Sequence, residues 1–148
     1  MKQVFELVPS SGKPFWILGV IVLFLLGMAA LFAYFLVSAR NTTVELTAQS
    51  LEIHGGLYGR SIPLRELDLE RARRVDLTQD RSLALAGRTN GIGLPGYQAG
   101  WFRLRSGEKA LVFLTDPRRA LYVPTRAGYA LLVSVREPEA FLQALGRS

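Results

Sequence analysis

The sequence contains no cysteine and only one histidine, His54. Without cysteine the chain cannot form disulfides, thiolate metal sites or a cysteine nucleophile. A single histidine, with no cysteine, no second histidine and no recognisably placed serine, builds neither a familiar metal site nor a familiar triad. These absences predict that the protein is not an enzyme and that it needs no cofactor and no metal.

One long apolar run, Phe15 to Val37, carries no charged residue over 23 positions. As a helix it would extend about 34 Å, enough to cross a hydrocarbon core about 30 Å thick. The sequence therefore predicts an N-terminal flank at 1–14, a transmembrane helix at 15–37, a linker at 38–42 and one domain at 43–148. A cleaved signal peptide is the alternative, but its apolar region is usually only about 7–15 residues long.

The basic residues around the apolar run bear on orientation. Lys2 and Lys13 precede the run together with Glu6, whereas Arg40 is the one basic residue close behind it. Lysine and arginine near a transmembrane helix prefer the cytoplasmic side. This count favours a cytoplasmic N-terminus and an extracytoplasmic C-terminal domain in a single-pass membrane protein.

The sequence after the linker follows a β pattern. Val44, Leu46 and Ala48 alternate with polar residues, which is typical of a strand with one buried face. Further strands are predicted at 51–53, 57–64, 67–78, 82–86, 101–105, 109–115, 120–125 and 129–135. Strands at such short spacing predict a meander that closes into a barrel or curls into two packed sheets. The period then changes, and Pro138 to Leu145 is predicted to form a capping helix that ends at Gly146.

Three stretches carry a resemblance to a known family. They are the hairpin from Ser50 to Leu64, the Gly-rich segment from Arg88 to Phe102, and the last strand and helix start from Leu132 to Phe141. In these stretches the chain resembles the bacterial PH-like (pleckstrin homology) domain proteins, as a membrane-anchored member. The resemblance implies a mainly β fold, a PH-like barrel or sandwich capped by a C-terminal α-helix, and a place in the bacterial inner membrane.

The resemblance does not extend to a phosphoinositide site. In lipid-binding eukaryotic PH domains a basic loop between the first two strands clamps the phosphates. The corresponding turn here is His54-Gly55-Gly56, which is short and has no lysine or arginine. A shared fold alone does not transfer a ligand.

The Gly-rich segment matches the Gly-x-Gly-x-x-Gly nucleotide fingerprint. That motif binds a pyrophosphate only where its glycines follow a strand and open a helix. Here Pro95 and the surrounding glycines rule out a helix. The segment is predicted to be a structural loop or bulge that needs positive φ angles, built by Gly91, Gly93, Pro95, Gly96 and Gly100.

Arginine runs are the main hint of a binding surface. Residues 38–148 contain 16 basic and 11 acidic residues. The candidate contacts with anionic headgroups or with a partner are Arg71, Arg73, Arg74, Arg118 and Arg119. The competing interpretation is a set of scattered, solvated arginines. Nucleic acid is not expected as a partner, because aromatic residues do not interleave with the basic runs.

Together these observations predict a membrane-tethered, non-catalytic interaction or scaffolding module. One helix spans the lipid bilayer, and the domain binds a protein partner. The first alternative is binding of anionic lipid headgroups through the arginine runs. A less favoured alternative is an enzyme whose site is assembled from scattered acids such as Asp76, Asp80 and Asp116.

Overall fold

In a computed structural model, the structure describes residues 3–5, 8, 9 and 12–147 of the 148-residue chain. The chain divides into two compact units, and the boundary lies between Arg40 and Asn41. Lys2 and Glu6, two of the charged residues ahead of the apolar run, lie outside the described residues, as do several other positions of the predicted N-terminal flank.

The first unit is built on one long helix, α1 (Lys13–Arg40). Its Pro14–Ser38 segment of 25 residues contains an 18-residue window with a mean hydropathy of 2.8, and none of that window is buried against other protein. Large apolar side chains are exposed along it, as at Trp16 (79%) and Phe24 (68%). The predicted apolar helix is confirmed, and it is long and apolar enough to cross a bilayer. It also takes in positions 38–40, which the sequence had assigned to the linker.

The second unit contains two β-sheets. The smaller sheet is antiparallel in the order β1-β2-β3, and the larger sheet has the order β4-β8-β9-β7-β6-β5. The strands are β1 (Thr43–Leu46), β2 (Ser50–His54), β3 (Arg60–Pro63), β4 (Arg73–Val75), β5 (Leu85–Leu94), β6 (Tyr97–Leu104), β7 (Lys109–Leu114), β8 (Ala120–Pro124) and β9 (Ala130–Ser134).

The larger sheet is not a simple meander. β9 lies between β7 and β8, and it runs parallel to β7 with Leu111 opposite Leu131. Both strands are buried on both faces, so their sequences are nearly continuous apolar runs. The two sheets pack as a sandwich, which is one of the two predicted alternatives; the closed barrel is wrong.

Two apolar cores lie on the two faces of the larger sheet. One lies between the sheets and joins Leu51 and Ile62 of the smaller sheet to Leu121 of the larger. The other is covered by the segment 76–84, which buries Leu77 and Leu83. That segment is anchored at both ends by backbone hydrogen bonds, from Leu77 N to Pro117 O and from Arg105 N to Ala84 O, each 2.9 Å.

The C-terminal helix, α2 (Pro138–Gly146), packs its apolar stripe on the inter-sheet core. Leu145 is 1% exposed, and Phe141 and Leu142 pack beside it. A helix of nine residues is marginal alone in water, so this packing stabilises it. The prediction of a helix at 138–145 is confirmed to within one residue.

The Gly-rich segment, predicted as a structural loop or bulge, is a β-hairpin in which two of the predicted residues have positive φ. Gly91 and Gly93 lie within β5 without positive φ, whereas Gly96 (φ 77°) forms the turn with Pro95 and Gly100 (φ 112°) lies in β6. Gly91 and Gly100 face each other across the two strands. A Cβ on Gly91 would lie 2.5 Å from the Ala99 carbonyl oxygen, and one on Gly100 would lie 2.6 Å from the Asn90 carbonyl oxygen. The glycine pair is required because the two backbones approach so closely.

Candidate functional site

The five arginines singled out in the sequence do not form one basic patch. Arg73 and Arg74 are neighbours in β4, and side chains alternate between the faces of a strand. The Arg73 guanidinium lies over the Tyr122 ring, 5.6 Å from its centroid, whereas Arg74 Nη1 lies 2.8 Å from Glu139 Oε1 on α2. The predicted contact set is therefore split into two groups.

The first group surrounds Tyr122. Arg71 and Arg73 line an open pocket of about 280 Å³ together with this tyrosine. The Tyr122 hydroxyl donates to Glu108 Oε2 at 2.9 Å. The pKa of Tyr122 is raised above its ordinary value of 10.0, mainly by burial and secondly by this hydrogen bond. Carboxylates lie near both arginines: Arg71 is 3.9 Å from Asp68, and Arg73 is 3.9 Å from Asp80.

The second group lies between β4, the 3₁₀ turn Pro117–Arg119 and the start of α2. Glu139 forms an ion pair with Arg74, and the nearby charge of Arg119 also lowers its pKa. The charges of Arg118 and Arg74 contribute to lowering the pKa of Asp76. Arg71, Arg73 and Arg74 therefore each have a carboxylate within ion-pair distance.

Substitution of Glu139 by glutamine is expected to weaken the docking of α2 at neutral pH. The pKa of Glu139 is held below its ordinary 4.5 by its own backbone N–H and then by the Arg74 guanidinium. A carboxyl group with a lowered folded-state pKa stabilises the fold above its unfolded pKa, and this contribution is lost as pH falls through the folded value. In melting curves across pH, the variant should melt below the wild type at pH 7, and the difference should close below pH 4.5. A difference that stays constant into acid would contradict the assignment.

The scattered acids do not assemble into a reaction centre. Asp76 accepts from the Thr78 hydroxyl and backbone, and Asp80 accepts from the Ser82 hydroxyl. These hydrogen bonds lower the pKa of both aspartates, which is the reverse of what a general acid needs. Asp116 caps the 3₁₀ turn by accepting from Arg118 N. In the described part of the chain, no group of three or more His, Asp or Glu side chains could hold a metal.

His54 lies at the end of β2 beside two acids. Its Nε2 is 3.2 Å from a Glu52 carboxylate oxygen and 3.6 Å from one of Glu45. The side chain is 53% exposed, so these are surface contacts. The turn that follows contains Gly55 (φ 124°) and Gly56 (φ 64°), which shape a tight connection without basic side chains.

A second cluster, which the sequence reasoning missed, surrounds Trp101 on β6. The Lys109 ammonium lies 4.5 Å from the indole centroid, and the Arg60 guanidinium lies 5.4 Å from it. Tyr129 meets the same indole edge to face at 5.1 Å. We call Trp101, Arg60, Lys109 and Tyr129 the Trp101 cluster. It joins the two sheets, because Arg60 belongs to β3 and the other three belong to the larger sheet or its turns.

Pairing between distant strands explains why the Trp101 cluster was missed. The parallel ladder pairs Ala110 with Ala130, and so brings the preceding residues Lys109 and Tyr129 together. Arg60 arrives from another sheet. The one local signal was a tryptophan in an alternating strand, and such a residue is ordinarily part of the core.

The domain at 41–148 is a two-sheet β structure with a C-terminal helix packed on its core, which is a PH-like arrangement of elements. The family model of the bacterial PH domain matches residues 42–148. The chain belongs to the bacterial PH domain family. Comparison with curated proteins and with solved structures gave no match.

Proposed function

We propose that this protein is a membrane-tethered, non-catalytic interaction or scaffolding module whose PH domain binds a protein partner. The observation that carries this choice is that Arg71, Arg73 and Arg74 each lie within ion-pair distance of an acid, respectively Asp68, Asp80 and Glu139. A surface whose cations already have carboxylate neighbours is poorly suited to anionic headgroups. Membership of an interaction-domain family supports the non-catalytic assignment.

The tether in this proposal is α1. Exposing the 23-residue run from Phe15 to Val37 to water would be strongly unfavourable, and lipid is the environment that suits a helix apolar on all faces. In this proposal the helix lies in the bacterial inner membrane with the N-terminus in the cytoplasm and the PH domain outside. The basic residues ahead of the helix support that orientation.

A protein partner has an available docking edge on the larger sheet. β5 is the edge strand of that sheet and is ten residues long. Residues 86–90 are exposed, and the strand's outer edge has no neighbouring strand in the described structure. Such an edge can accept an extended peptide by main-chain hydrogen bonding. Register shifts between Leu85 and Gly87 and between Arg88 and Asn90 interrupt it and discourage uncontrolled self-pairing.

Binding of anionic lipid is the second candidate. The pocket beside Tyr122 favours it, because Arg71 and Arg73 both line that pocket. Each basic group near an anionic surface contributes only about 1 kcal/mol, and here Asp68 and Asp80 offset part of that contribution.

The two candidates predict different behaviour towards vesicles. The full chain is placed in nanodiscs of neutral lipid and floated with anionic or neutral vesicles. We expect weak or absent association in both cases, and no change in the Arg71→Gln, Arg73→Gln, Arg74→Gln triple variant. Surface charge acts over only about 8 Å at physiological ionic strength. Strong association with anionic vesicles alone, lost as salt rises and weakened in the triple variant, would show that lipid is the ligand.

A further inference from the structure

The Trp101 cluster differs from Arg71, Arg73 and Arg74 in its charge balance. The Arg60 and Lys109 charges converge on one indole ring. Both therefore lie within about 10 Å of each other, no more than a Debye length at 0.1 M salt. Among the described residues, neither has a carboxylate within the 4.0 Å of an ion pair, whereas Arg71, Arg73 and Arg74 each do. Two like charges brought together without a counter-charge are stabilised by an anion from outside.

The indole between these charges is held in a fixed position. Tyr129 packs on it edge to face, and the Trp101 backbone carbonyl accepts a hydrogen bond from the Thr89 hydroxyl at 3.0 Å. The ring is only partly buried, and both cations lie over it. A glutamate or aspartate side chain suits this arrangement, because its carboxylate can form a charge-assisted hydrogen bond with a cation held at the ring.

We propose that Arg60, Lys109 and Trp101 form a binding site for an acidic segment of a protein partner. The site rests on the proposed function, and it adds the chemistry of the segment that is recognised. Trp101 lies directly opposite Asn90 of the edge strand β5. A peptide strand added outside β5 would lie two strand spacings, about 10 Å, from β6. Long acidic and basic side chains can meet across that distance.

Protein fits this site better than a lipid surface does. The site has two basic groups, few for holding a domain on an anionic membrane where each adds a small increment. Insertion of the domain into a membrane would depend on the Trp101 indole, and two cations lie close to that ring. Their charges oppose its entry into an apolar layer. Arg60 belongs to the smaller sheet, whereas Trp101 and Lys109 belong to the larger sheet. The two cations therefore lie at the junction between the sheets, where an extended peptide can bind.

The test uses the emission of Trp101 as a reporter. The chain has two tryptophans, so Trp16→Phe leaves Trp101 as the single emitter of the full-length protein. This chain is held in nanodiscs of neutral lipid and titrated with a twelve-residue polyglutamate peptide or with polyglutamine of the same length. We expect a saturable change with polyglutamate, none with polyglutamine, and at least about tenfold weaker binding in the Arg60→Gln, Lys109→Gln double variant.

Matched variants separate the site from general charge. Arg65→Gln with Arg126→Gln removes two exposed arginines and should leave polyglutamate binding within about twofold of the wild type. Arg60→Lys with Lys109→Arg keeps both charges and should also bind polyglutamate. This variant tests the site even if the Arg60→Gln, Lys109→Gln double variant does not fold.

Three results would overturn the site: equal weakening by the Arg65 and Arg126 pair, equal response to polyglutamine, or no response to either peptide. A change in Trp101 emission caused by anionic lipid in the nanodisc, and not by peptide, would overturn it in favour of a headgroup. If the chain still crosslinks to a protein in its membrane, the proposed function stands without this site.

Discussion

Replacement of Gly100 by alanine is expected to lower the melting temperature of the PH domain by about 15 °C, since about 1 kcal/mol shifts a domain of this size by about 4 °C. Two penalties act together. Gly100 has φ of 112°, a strained conformation for alanine at about 1–3 kcal/mol. The new Cβ would also lie 2.6 Å from both the Asn90 carbonyl oxygen and the Gly91 Cα, and overpacking costs about 1–3 kcal/mol more. Neither neighbour is a flexible side chain that could move aside.

Two other glycines provide controls for this prediction. Gly87→Ala adds a Cβ in open space in β5, and it should stay within about 0.5 kcal/mol of the wild type. Gly107→Ala meets no neighbour but has φ of 89°, so it should carry the conformational penalty alone, about 1–2 kcal/mol. Melting is followed by near-UV circular dichroism of the full chain in detergent. If Gly100→Ala melts together with Gly87→Ala, the close approach of β5 and β6 is wrong.

The second large effect concerns the apolar helix. Leu23→Arg with Leu26→Arg places two charges in the middle of α1, and each costs about 2.5–3.5 kcal/mol of insertion free energy. We expect the wild type to stay with the membrane after carbonate extraction and the double variant to appear largely in the soluble fraction. Leu23→Ala with Leu26→Ala keeps the helix apolar and should behave as the wild type does. A wild-type chain that carbonate releases would contradict the tether.

Two further measurements on the same preparation examine retention and orientation. The intact mass of the membrane-bound protein should include α1, whereas a chain starting near Ala39 would show a cleaved signal peptide.

Because the sequence has no cysteine, Ser106→Cys introduces a single thiol in an exposed turn. We expect an impermeant maleimide to label this thiol once the cell envelope outside the inner membrane has been made permeable, while the inner membrane stays intact. Labelling only after lysis of the inner membrane would place the PH domain in the cytoplasm.

The elements that depend on local pattern could be predicted from the sequence. The apolar helix follows from an uncharged run longer than a bilayer needs. The C-terminal helix follows from the change of period at Pro138, together with the acidic first turn and the final glycine. The family resemblance rested on local stretches as well, and the match over residues 42–148 confirms it.

The features that depend on pairing between distant segments could not be predicted. The insertion of β9 between β7 and β8 leaves no mark in any single strand, because a doubly buried strand is equally apolar next to either neighbour. Arg73 and Arg74 were treated as one run, yet strand alternation sends them to different acids. The hairpin between Gly91 and Gly100 was predicted as a loop or bulge, since glycine is frequent in loops and at close strand approaches alike.

The central claim is that the PH domain binds a protein in its membrane, and photo-crosslinking from β5 tests it most directly. A benzophenone amino acid replaces Gly87, where an added side chain meets open space at the exposed edge strand. Exposed Arg126, in the turn after β8, is replaced in the control. After irradiation of intact membranes, we predict an adduct with the mass of a second protein from position 87 and much less from position 126. Adducts with the mass of lipid alone, or equal protein adducts from both positions, would contradict the account.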